Sequence, residues 1–320
     1  MAEGIERKIQ RVVCIGGGTI GSSWAAYFLA QGLDVTLSDP APDGESVARH
    51  IIDGAWSTLE RLGLAPGAAR SRFRFAADPI AALDGADFVQ ESAPERYEIK
   101  LDLLQHLSAV LPREIIIASS SSGLLISKLQ AVCSFPERCV IGHPFNPPHI
   151  VPLVEVVGGT QTARWAIDAA MAFYRAIGKH PIEIRKEVPG HLANRLQAAL
   201  WREAVHLVAD GVATVADVDA AISEGPGLRW ALMGPHLTFH LAGGAGGMTQ
   251  YMDHLAPAIS GWWPDLGNPI LTPALQQQII DGIADEADGR TVDDLARRRD
   301  EFLVRVLEAR RATDATLKKS

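Results

Sequence analysis

One histidine and one glutamate in this chain have the residue types and the spacing needed for acid–base chemistry. His143 follows an apolar run typical of a strand, and Glu155 lies inside the next such run. A buried carboxylate is costly without a partner, and His143 is the nearest candidate by topology. Such a pair could serve in the oxidation of a secondary alcohol, which needs a base to take the hydroxyl proton while hydride leaves the carbon for an acceptor. The imidazole would be that base, and the carboxylate would hold its tautomer. A strand-end histidine and an exposed edge acid remain the simpler interpretations.

Hydroxyl and amide side chains lie at two further positions where a polar substrate could bind. Ser119 to Ser122 follow an apolar strand, so they lie at its carboxyl end, where open α/β sheets bind ligands. Asn194 lies near the start of a predicted helix and could direct its amide towards a cleft between domains. A simple helix-start role would explain Asn194 equally well.

A glycine turn near the beginning of the chain has the spacing that binds dinucleotides. Gly16, Gly18 and Gly21 form GxGxxG between an apolar strand and a helical pattern. The first glycine permits a tight turn, the second lets a pyrophosphate approach the backbone, and the third lets the helix pack on the strand. The N–H groups of Thr19 and Ile20, at the start of the helix, are the predicted pyrophosphate donors.

An acid at the end of the second strand favours NAD over NADP as the cofactor. Asp39 lies 18 residues beyond Gly21, where a carboxylate can accept hydrogen bonds from the adenosine ribose hydroxyls. The alternative is that Asp39 only opens the turn before Pro40.

The elements that must position these residues alternate between strand and helix from residue 11 to about 185, which predicts a doubly wound, mostly parallel α/β sheet. The predicted strands are Arg11 to Ile15, Asp34 to Ser38, Asp87 to Gln90, Ile115 to Ala118, Cys139 to Ile141, Leu153 to Val157 and Pro181 to Ile184. Strand signals vanish after Pro189. We therefore expect one domain over residues 1–188 and a second, all-helical domain over residues 189–320, with the glycine-rich segment 225–247 as an irregular loop.

Composition limits the partners and the compartment. A net charge of −8 disfavours nucleic acids and anionic membranes, which need a basic protein surface. The three cysteines are odd in number and show no CxxC spacing, so reduced thiols are expected and no metal site is predicted. The chain has no apolar signal region and no run near the length of about 18 apolar residues that spans a bilayer, so a cytoplasmic protein is expected.

Taken together, these motifs resemble the L-3-hydroxyacyl-CoA dehydrogenase family. The resemblance rests on the glycine turn, the serine run before Gly123, HPFNP at 143–147, PLVEVV at 152–157 and GxxxNRL at 190–196, and it covers nearly the whole chain. It implies a Rossmann NAD-binding domain and a helical domain that usually forms homodimers. It also implies that His143 is the general base or acid, Glu155 its partner, and Ser122 and Asn194 the residues that hydrogen-bond the substrate oxygen.

Further segments are similar to the branch of this family that contains L-gulonate 3-dehydrogenase, lambda-crystallin and L-carnitine dehydrogenase. They are QESAPE at 90–95, SSSGL at 120–124, LWREA at 200–204 and GLRWALMG at 227–234, and the glycine-rich segment 242–248 is most similar to the carnitine enzymes. By the same analogy, four residues lie near the nicotinamide side, namely Glu91, Glu95, Lys100 and Ser120.

The choice between a free acid and a CoA thioester depends on basic and aromatic residues. CoA carries a phosphorylated nucleotide, yet residues 42–64 contain no lysine and only two arginines, Arg49 and Arg61. Arg229 could bind a free carboxylate with its two-pronged donor set, or could be an ordinary surface arginine. Trp230, with other aromatic residues, could contact a quaternary ammonium group, although core or dimer contacts are the commoner roles.

The expected function is therefore NAD-dependent oxidation of the 3-hydroxyl of a small free L-3-hydroxy acid, carnitine-like or gulonate-like, with the reverse reduction. An L-3-hydroxyacyl-CoA dehydrogenase is the enzymatic alternative. A crystallin-like structural or NAD-binding protein without turnover is the alternative of another class.

Overall fold

The apolar runs in the first part of the chain form one eight-stranded sheet in the computed structural model, which describes residues 9–317. The strands are β1 (Arg11–Ile15), β2 (Asp34–Ser38), β3 (Phe73–Ala76), β4 (Phe88–Glu91), β5 (Ile116–Ser119), β6 (Cys139–Pro144), β7 (Leu153–Gly158) and β8 (His180–Ile184), in the order β3-β2-β1-β4-β5-β6-β7-β8. Neighbouring strands are parallel except β6 and β7, which are antiparallel. The predicted fold class is confirmed.

The carboxyl ends of four parallel strands meet at one edge of this sheet. From β1 the chain continues to β2 on one side and later reaches β4 on the other side, so β1 and β4 form a topological switch point, where ligands bind in open sheets. The strands β5 and β6 run in the same direction as β4. The residues at the ends of these strands therefore lie along one crevice.

Helices cover both faces of the sheet. They are α1 (Thr19–Ala30), α2 (Gly44–Leu62), α3 (Pro79–Ala82), α4 (Tyr97–Val110), α5 (Ile126–Leu129) and α6 (Arg164–Ala176). One apolar core includes Trp24 and Phe28 of α1, with their rings stacked at 5.0 Å, together with Phe173 of α6. The other includes Leu104 and Leu107 of α4. Two apolar faces explain why most of the strands are apolar throughout.

The structure differs most from the predicted strands at two places, and the bounds of β4, β5, β7 and β8 differ from the prediction by one residue at one or both ends. Strand β3 was not predicted, because it has four residues and alternates phenylalanine with arginine at the sheet edge, where it pairs only with β2. Strand β6 continues to Pro144 instead of ending at Ile141, because the antiparallel ladder with β7 extends to the pair Pro144 and Val154. His143 therefore lies inside β6.

A buried lysine holds the loop between β6 and β7. Lys179 donates through Nζ to the carbonyl oxygens of Pro148 and Val151, the latter at 3.0 Å. The same ammonium group lies 3.7 Å from the centre of the Tyr27 ring. Burial lowers the pKa of Lys179 to about 7. The lysine thus ties the loop that follows His143 to α1, the helix that begins at the glycine turn.

The chain divides into two compact units after Arg195. Beyond this point the structure up to residue 317 is helical: α7 (Ala193–Ala209) crosses the division, and α8 (Val215–Ser223), α9 (Pro226–Trp230), α10 (Pro235–Ala242), α11 (Gly247–His254), α12 (Ala256–Gly261), α13 (Pro273–Ala287) and α14 (Val292–Leu317) follow. The boundary predicted near Pro189 from composition remains a prediction. Within residues 9–317, we find no helix whose length and apolar character would allow it to cross a membrane.

The prediction of an irregular loop over residues 225–247 was wrong. Most of this segment is helical, in α9 and α10. Pro226 and Pro235 are the first residues of these two helices, where the missing N–H costs nothing, and a glycine precedes each of them. The prolines therefore start helices here instead of interrupting them.

Candidate active site

The glycine turn after β1 has room for a pyrophosphate on one side and none on the other. A Cβ on Gly21 would lie 1.9 Å from the carbonyl oxygen of Gly16, so this glycine allows close packing of α1 on the turn. Gly16 itself has φ of +101°, which favours glycine. A Cβ on Gly18 would meet nothing within 4 Å. The open side at Gly18 fits the approach of a phosphate group to the backbone.

The start of α1 adds free N–H groups to this turn. Gly18 precedes the helix and no side chain caps it, with Thr19 exposed and Ile20 half-buried as its first residues. The N–H groups of an uncapped helix start carry partial positive charge and suit an anionic ligand. The residues present therefore fit a dinucleotide.

Asp39 is held at the edge of the glycine turn. Its Oδ2 accepts a hydrogen bond from the Gly17 N–H at 2.6 Å, and its Oδ1 accepts one from the Ala41 N–H at 2.9 Å. Asp39 therefore does open the turn before Pro40, through its hydrogen bond with the Ala41 N–H. It places the carboxylate beside the turn at the end of β2, where the ribose of a dinucleotide lies in such folds.

His143 and Glu155 are hydrogen-bonded to each other. The two residues are direct partners in the antiparallel register of β6 and β7, and His143 Nδ1 lies 2.8 Å from Glu155 Oε2. The glutamate side chain is fully buried and the histidine side chain is 7% exposed. Within residues 9–317, Nε2 of His143 has no hydrogen-bond partner.

The second oxygen of Glu155 binds the start of α7. Oε1 accepts hydrogen bonds from the N–H groups of Leu192 at 2.9 Å and Ala193 at 3.0 Å. Burial alone would raise the pKa of Glu155, but the hydrogen bonds from His143 and from these two N–H groups outweigh it and lower the pKa. An ionised Glu155 can only accept a hydrogen bond, so Nδ1 of His143 is the donor, and in the neutral imidazole Nε2 then carries the lone pair.

A buried ion pair shapes the loop after β4. Lys100 donates through Nζ to Glu91 Oε1 at 2.6 Å and to the carbonyl oxygen of Ala93 at 2.9 Å, and both charged side chains are buried. The other oxygen of Glu91 accepts from Ser119 Oγ at the end of β5. Glu91 and Lys100 thus connect the end of β4 to the end of β5 and to the loop that follows β4.

Glu95 organises the serine loop after β5. Its Oε1 accepts hydrogen bonds from Ser121 Oγ at 2.7 Å and from the N–H groups of Ser122 and Gly123, both at 2.9 Å. Burial would raise the pKa of Glu95, but these hydrogen bonds and the nearby Lys100 outweigh it and lower the pKa. Ser120 Oγ lies 2.8 Å from Gln90 Nε2, which donates to it.

Ser122 donates its backbone N–H to Glu95, and Asn194 lies next in sequence to Ala193. Both residues are half-buried. The N–H of Ala193 donates to Glu155, and Asn194 is therefore in the first turn of α7. Arg229 and Trp230 belong to the second unit, in α9, and both are exposed. Within residues 9–317, the guanidinium of Arg229 has no ion-pair partner.

His191 lies close to His143 and is not among the residues predicted from the sequence. This residue is buried, its Nε2 lies 3.0 Å from the carbonyl oxygen of Ser121, and its ring centre lies 5.1 Å from that of His143. The preceding Pro189-Gly190 pair is a turn signal that could have directed attention to it.

Profiles of known families match most of the chain. Residues 11–188 match the profile described as 3-hydroxyacyl-CoA dehydrogenase, NAD binding domain. Residues 190–264 match the profile described as 3-hydroxyacyl-CoA dehydrogenase, C-terminal domain.

Individual relatives match over nearly the full length. The chain is 52% identical over 301 residues to L-carnitine dehydrogenase of Streptomyces griseus, which covers 94% of this chain and 90% of that protein. It is 49% identical over 308 residues to L-carnitine dehydrogenase of Pseudomonas aeruginosa, with 96% of each covered. A solved structure of 5-formyl-3-hydroxy-2-methylpyridine 4-carboxylic acid 5-dehydrogenase, an NAD+ dependent dismutase, superposes with a TM-score of 0.82 at 34% identity and covers 95% of this chain and 99% of that chain.

Proposed function

On the premise that the chain belongs to the 3-hydroxyacyl-CoA dehydrogenase family and is an NAD-dependent dehydrogenase, we propose that it oxidises the 3-hydroxyl of a small free L-3-hydroxy acid. A carnitine-like acid is the first candidate and a gulonate-like acid the second. The observation that carries the proposal is identity of about half of the residues with L-carnitine dehydrogenases over nearly the whole chain.

The charges near the glycine turn support a free acid over a CoA ester. Of the two arginines in residues 42–64, Arg49 forms an ion pair with Glu45 at 2.7 Å and lies over the ring of Phe73. An arginine engaged in this way is a poor partner for the phosphates of CoA. The absence of lysine from the same stretch points in the same direction.

His143 is the proton acceptor in the proposed reaction. When bound, NAD supplies the acceptor for the hydride that leaves carbon 3 of the acid. Nε2 of His143 takes the hydroxyl proton, since Nδ1 already donates to Glu155. Glu155 stays ionised and stabilises the imidazolium that forms. Ser122 and Asn194 orient the substrate oxygen through hydrogen bonds.

The remaining predicted residues bind or shape the cofactor site. The open backbone at Gly18 and the N–H groups of α1 bind the pyrophosphate, and Asp39 binds the ribose. Four residues at or after the ends of β4 and β5 shape the nicotinamide side, namely Glu91, Glu95, Lys100 and Ser120. Glu91 and Lys100 act through the loop that they hold.

Formation of NADH with a panel of substrates tests the proposed function. The panel contains L-carnitine, L-gulonate, 3-hydroxybutyrate and 3-hydroxybutyryl-CoA, each followed by the absorbance of NADH. We expect turnover with a free acid, L-carnitine first. Turnover with the CoA ester alone would replace the proposal by the acyl-CoA reaction, and NAD binding without turnover of any compound would indicate a structural protein.

Replacing Arg229 by Met should raise KM for the free acid. The guanidinium is proposed to bind the substrate carboxylate, and loss of a charge-assisted hydrogen bond costs about 1.5–3 kcal/mol, or about 10- to 100-fold in KM. Initial rates with L-carnitine and with its amide measure the effect. Arg202→Met, on α7, is the control with the same substitution. A similar KM change for acid and amide would remove Arg229 from the carboxylate site.

The second unit is the proposed dimer interface. It carries large exposed apolar side chains, for example Leu196, Trp201, Trp263 and Phe302. Apolar surface of this extent is typical of a subunit interface. A homodimer that forms through this unit would cover this apolar surface.

The three cysteines are free and buried, which supports the expectation of a reducing, cytoplasmic compartment.

A further inference from the structure

His191 is buried and its backbone is in the left-handed region. It is 2% exposed and has φ of +52°, directly after Gly190 with φ of +77°. Left-handed backbone is uncommon outside glycine, although histidine adopts it more readily than most residues. Conformations of this kind persist where the surrounding structure demands them, and they are frequent at ligand sites.

One ring nitrogen of His191 has a partner and the other has none. Nε2 lies 3.0 Å from the carbonyl oxygen of Ser121, which can only accept, so Nε2 carries a proton. Nδ1 is fully buried and has no hydrogen-bond partner among residues 9–317. A buried polar atom without a partner costs free energy, and native proteins retain few of them without a functional reason.

The position of the ring relates this orphan nitrogen to the proposed reaction. The ring centres of His191 and His143 lie 5.1 Å apart. The hydroxyl and the carboxylate of a 3-hydroxy acid are separated by two carbon–carbon bonds, which places their oxygens roughly 3–5 Å apart with ordinary bond lengths. An acid whose hydroxyl contacts His143 therefore has its carboxylate within reach of the second ring.

We propose that Nδ1 of His191 binds one oxygen of the carboxylate of the 3-hydroxy acid, with the other oxygen left for the proposed contact with Arg229, and that the ring takes up one proton from solvent as the acid binds. The inference rests on the proposed function, since a CoA thioester has no such carboxylate. Nδ1 is shielded from bulk water, which strengthens a charged hydrogen bond made there. Binding requires the residues that cover Nδ1 to move aside as the acid enters.

Proton uptake follows from the charges around the ring. Burial lowers the pKa of His191, so the free protein holds it neutral near pH 7. The groups that face it are His143 of β6, Glu155 of β7 and Glu95 of the loop after β4. A bound carboxylate adds a negative charge and favours the imidazolium. Affinity for the acid should therefore weaken as pH rises, by up to about tenfold per pH unit.

The test measures binding of the 3-deoxy analogue of L-carnitine, which lacks the reacting hydroxyl, to the NAD-loaded protein. Titration calorimetry in two buffers that differ in ionisation enthalpy counts the protons taken up. We expect about one proton per molecule with the unchanged protein and none with His191→Asn, with affinity for the analogue about 10- to 100-fold weaker in the variant. Asparagine suits the substitution because it tolerates left-handed backbone. The amide of the analogue should bind both proteins alike.

His191→Phe keeps a ring at this position and separates binding from packing. It should reproduce the loss of proton uptake, and NAD affinity reports whether each variant is folded. Equal weakening for the acid and the amide, or no proton uptake by the unchanged protein, would overturn the assignment. Either of these results, together with oxidation of L-carnitine by the unchanged protein in the panel, would exclude only the role of His191. The proposed function would then stand.

Discussion

His143→Gln should lower kcat by about 10²- to 10⁴-fold and leave the affinity for NAD unchanged. Glutamine keeps a donor that can reach Glu155 but has no basic nitrogen at the position of Nε2. The proton of the substrate hydroxyl then has no acceptor, whereas the glycine turn and Asp39, which we propose to bind the cofactor, follow other strands of the sheet. Single-turnover formation of NADH measures the effect on chemistry.

The control for this experiment is His149→Gln, in the loop between β6 and β7. His149 lies at hydrogen-bond distance from Ser23 of α1, outside the pair of His143 and Glu155. We expect this variant to retain most of its turnover. Unchanged turnover in His143→Gln would exclude the histidine from proton transfer.

Glu155→Gln should lower kcat by about as much, roughly 10²- to 10⁴-fold. The neutral amide no longer stabilises the imidazolium, and it can donate to Nδ1 and so select the wrong tautomer of His143. Because the same carboxylate accepts the N–H groups of Leu192 and Ala193, the variant should also be less stable by about 1–3 kcal/mol at pH 7. Initial rates and urea unfolding measure the two effects.

The stability effect should depend on pH with a defined sign. The pKa of Glu155 is lowered in the folded protein, so its stabilisation is complete above the usual glutamate pKa of about 4.3 and is lost as pH falls through the lowered folded value. The difference between the two proteins in free energy of unfolding should therefore shrink below about pH 4. Glu183→Gln on β8, whose carboxylate pairs with the exposed Arg164, is the matched control, with an expected cost below about 1 kcal/mol. A pH-independent difference would argue against a charged Glu155.

Much of the fold could be predicted because the strong signals are local. The bounds predicted for β1 and β2 agree with the structure, since each strand begins at an exposed charged residue, continues with mostly buried positions and pairs with a neighbour on both sides. Strand β3 escaped prediction because an edge strand needs fewer apolar residues. The helices α9 and α10 were not predicted because a proline or a glycine can either begin a helix or interrupt one. Only the surrounding packing decides between these two roles.

The candidate site also has features that could be predicted from the sequence and features that could not. The contact of His143 with Glu155 could be anticipated from two neighbouring strands and the cost of a buried acid. The second role of Glu155, as acceptor for the start of α7, could not, because it joins residues nearly forty positions apart through a geometry that no spacing reveals. His191 could not be anticipated for the same reason.

By itself, the sequence determined the glycine turn, the acid at the end of β2 and the positions along the chain of seven of the eight strands, because steric preference and apolar periodicity act within a few residues. Only the tertiary structure decided which oxygen of Glu155 faces which donor and that His191 lies beside His143 with a ring nitrogen that has no partner in the described part of the chain. Those outcomes depend on the antiparallel register of β6 with β7 and on the packing of residues 190–195, where contacts distant in sequence set the positions of the polar atoms.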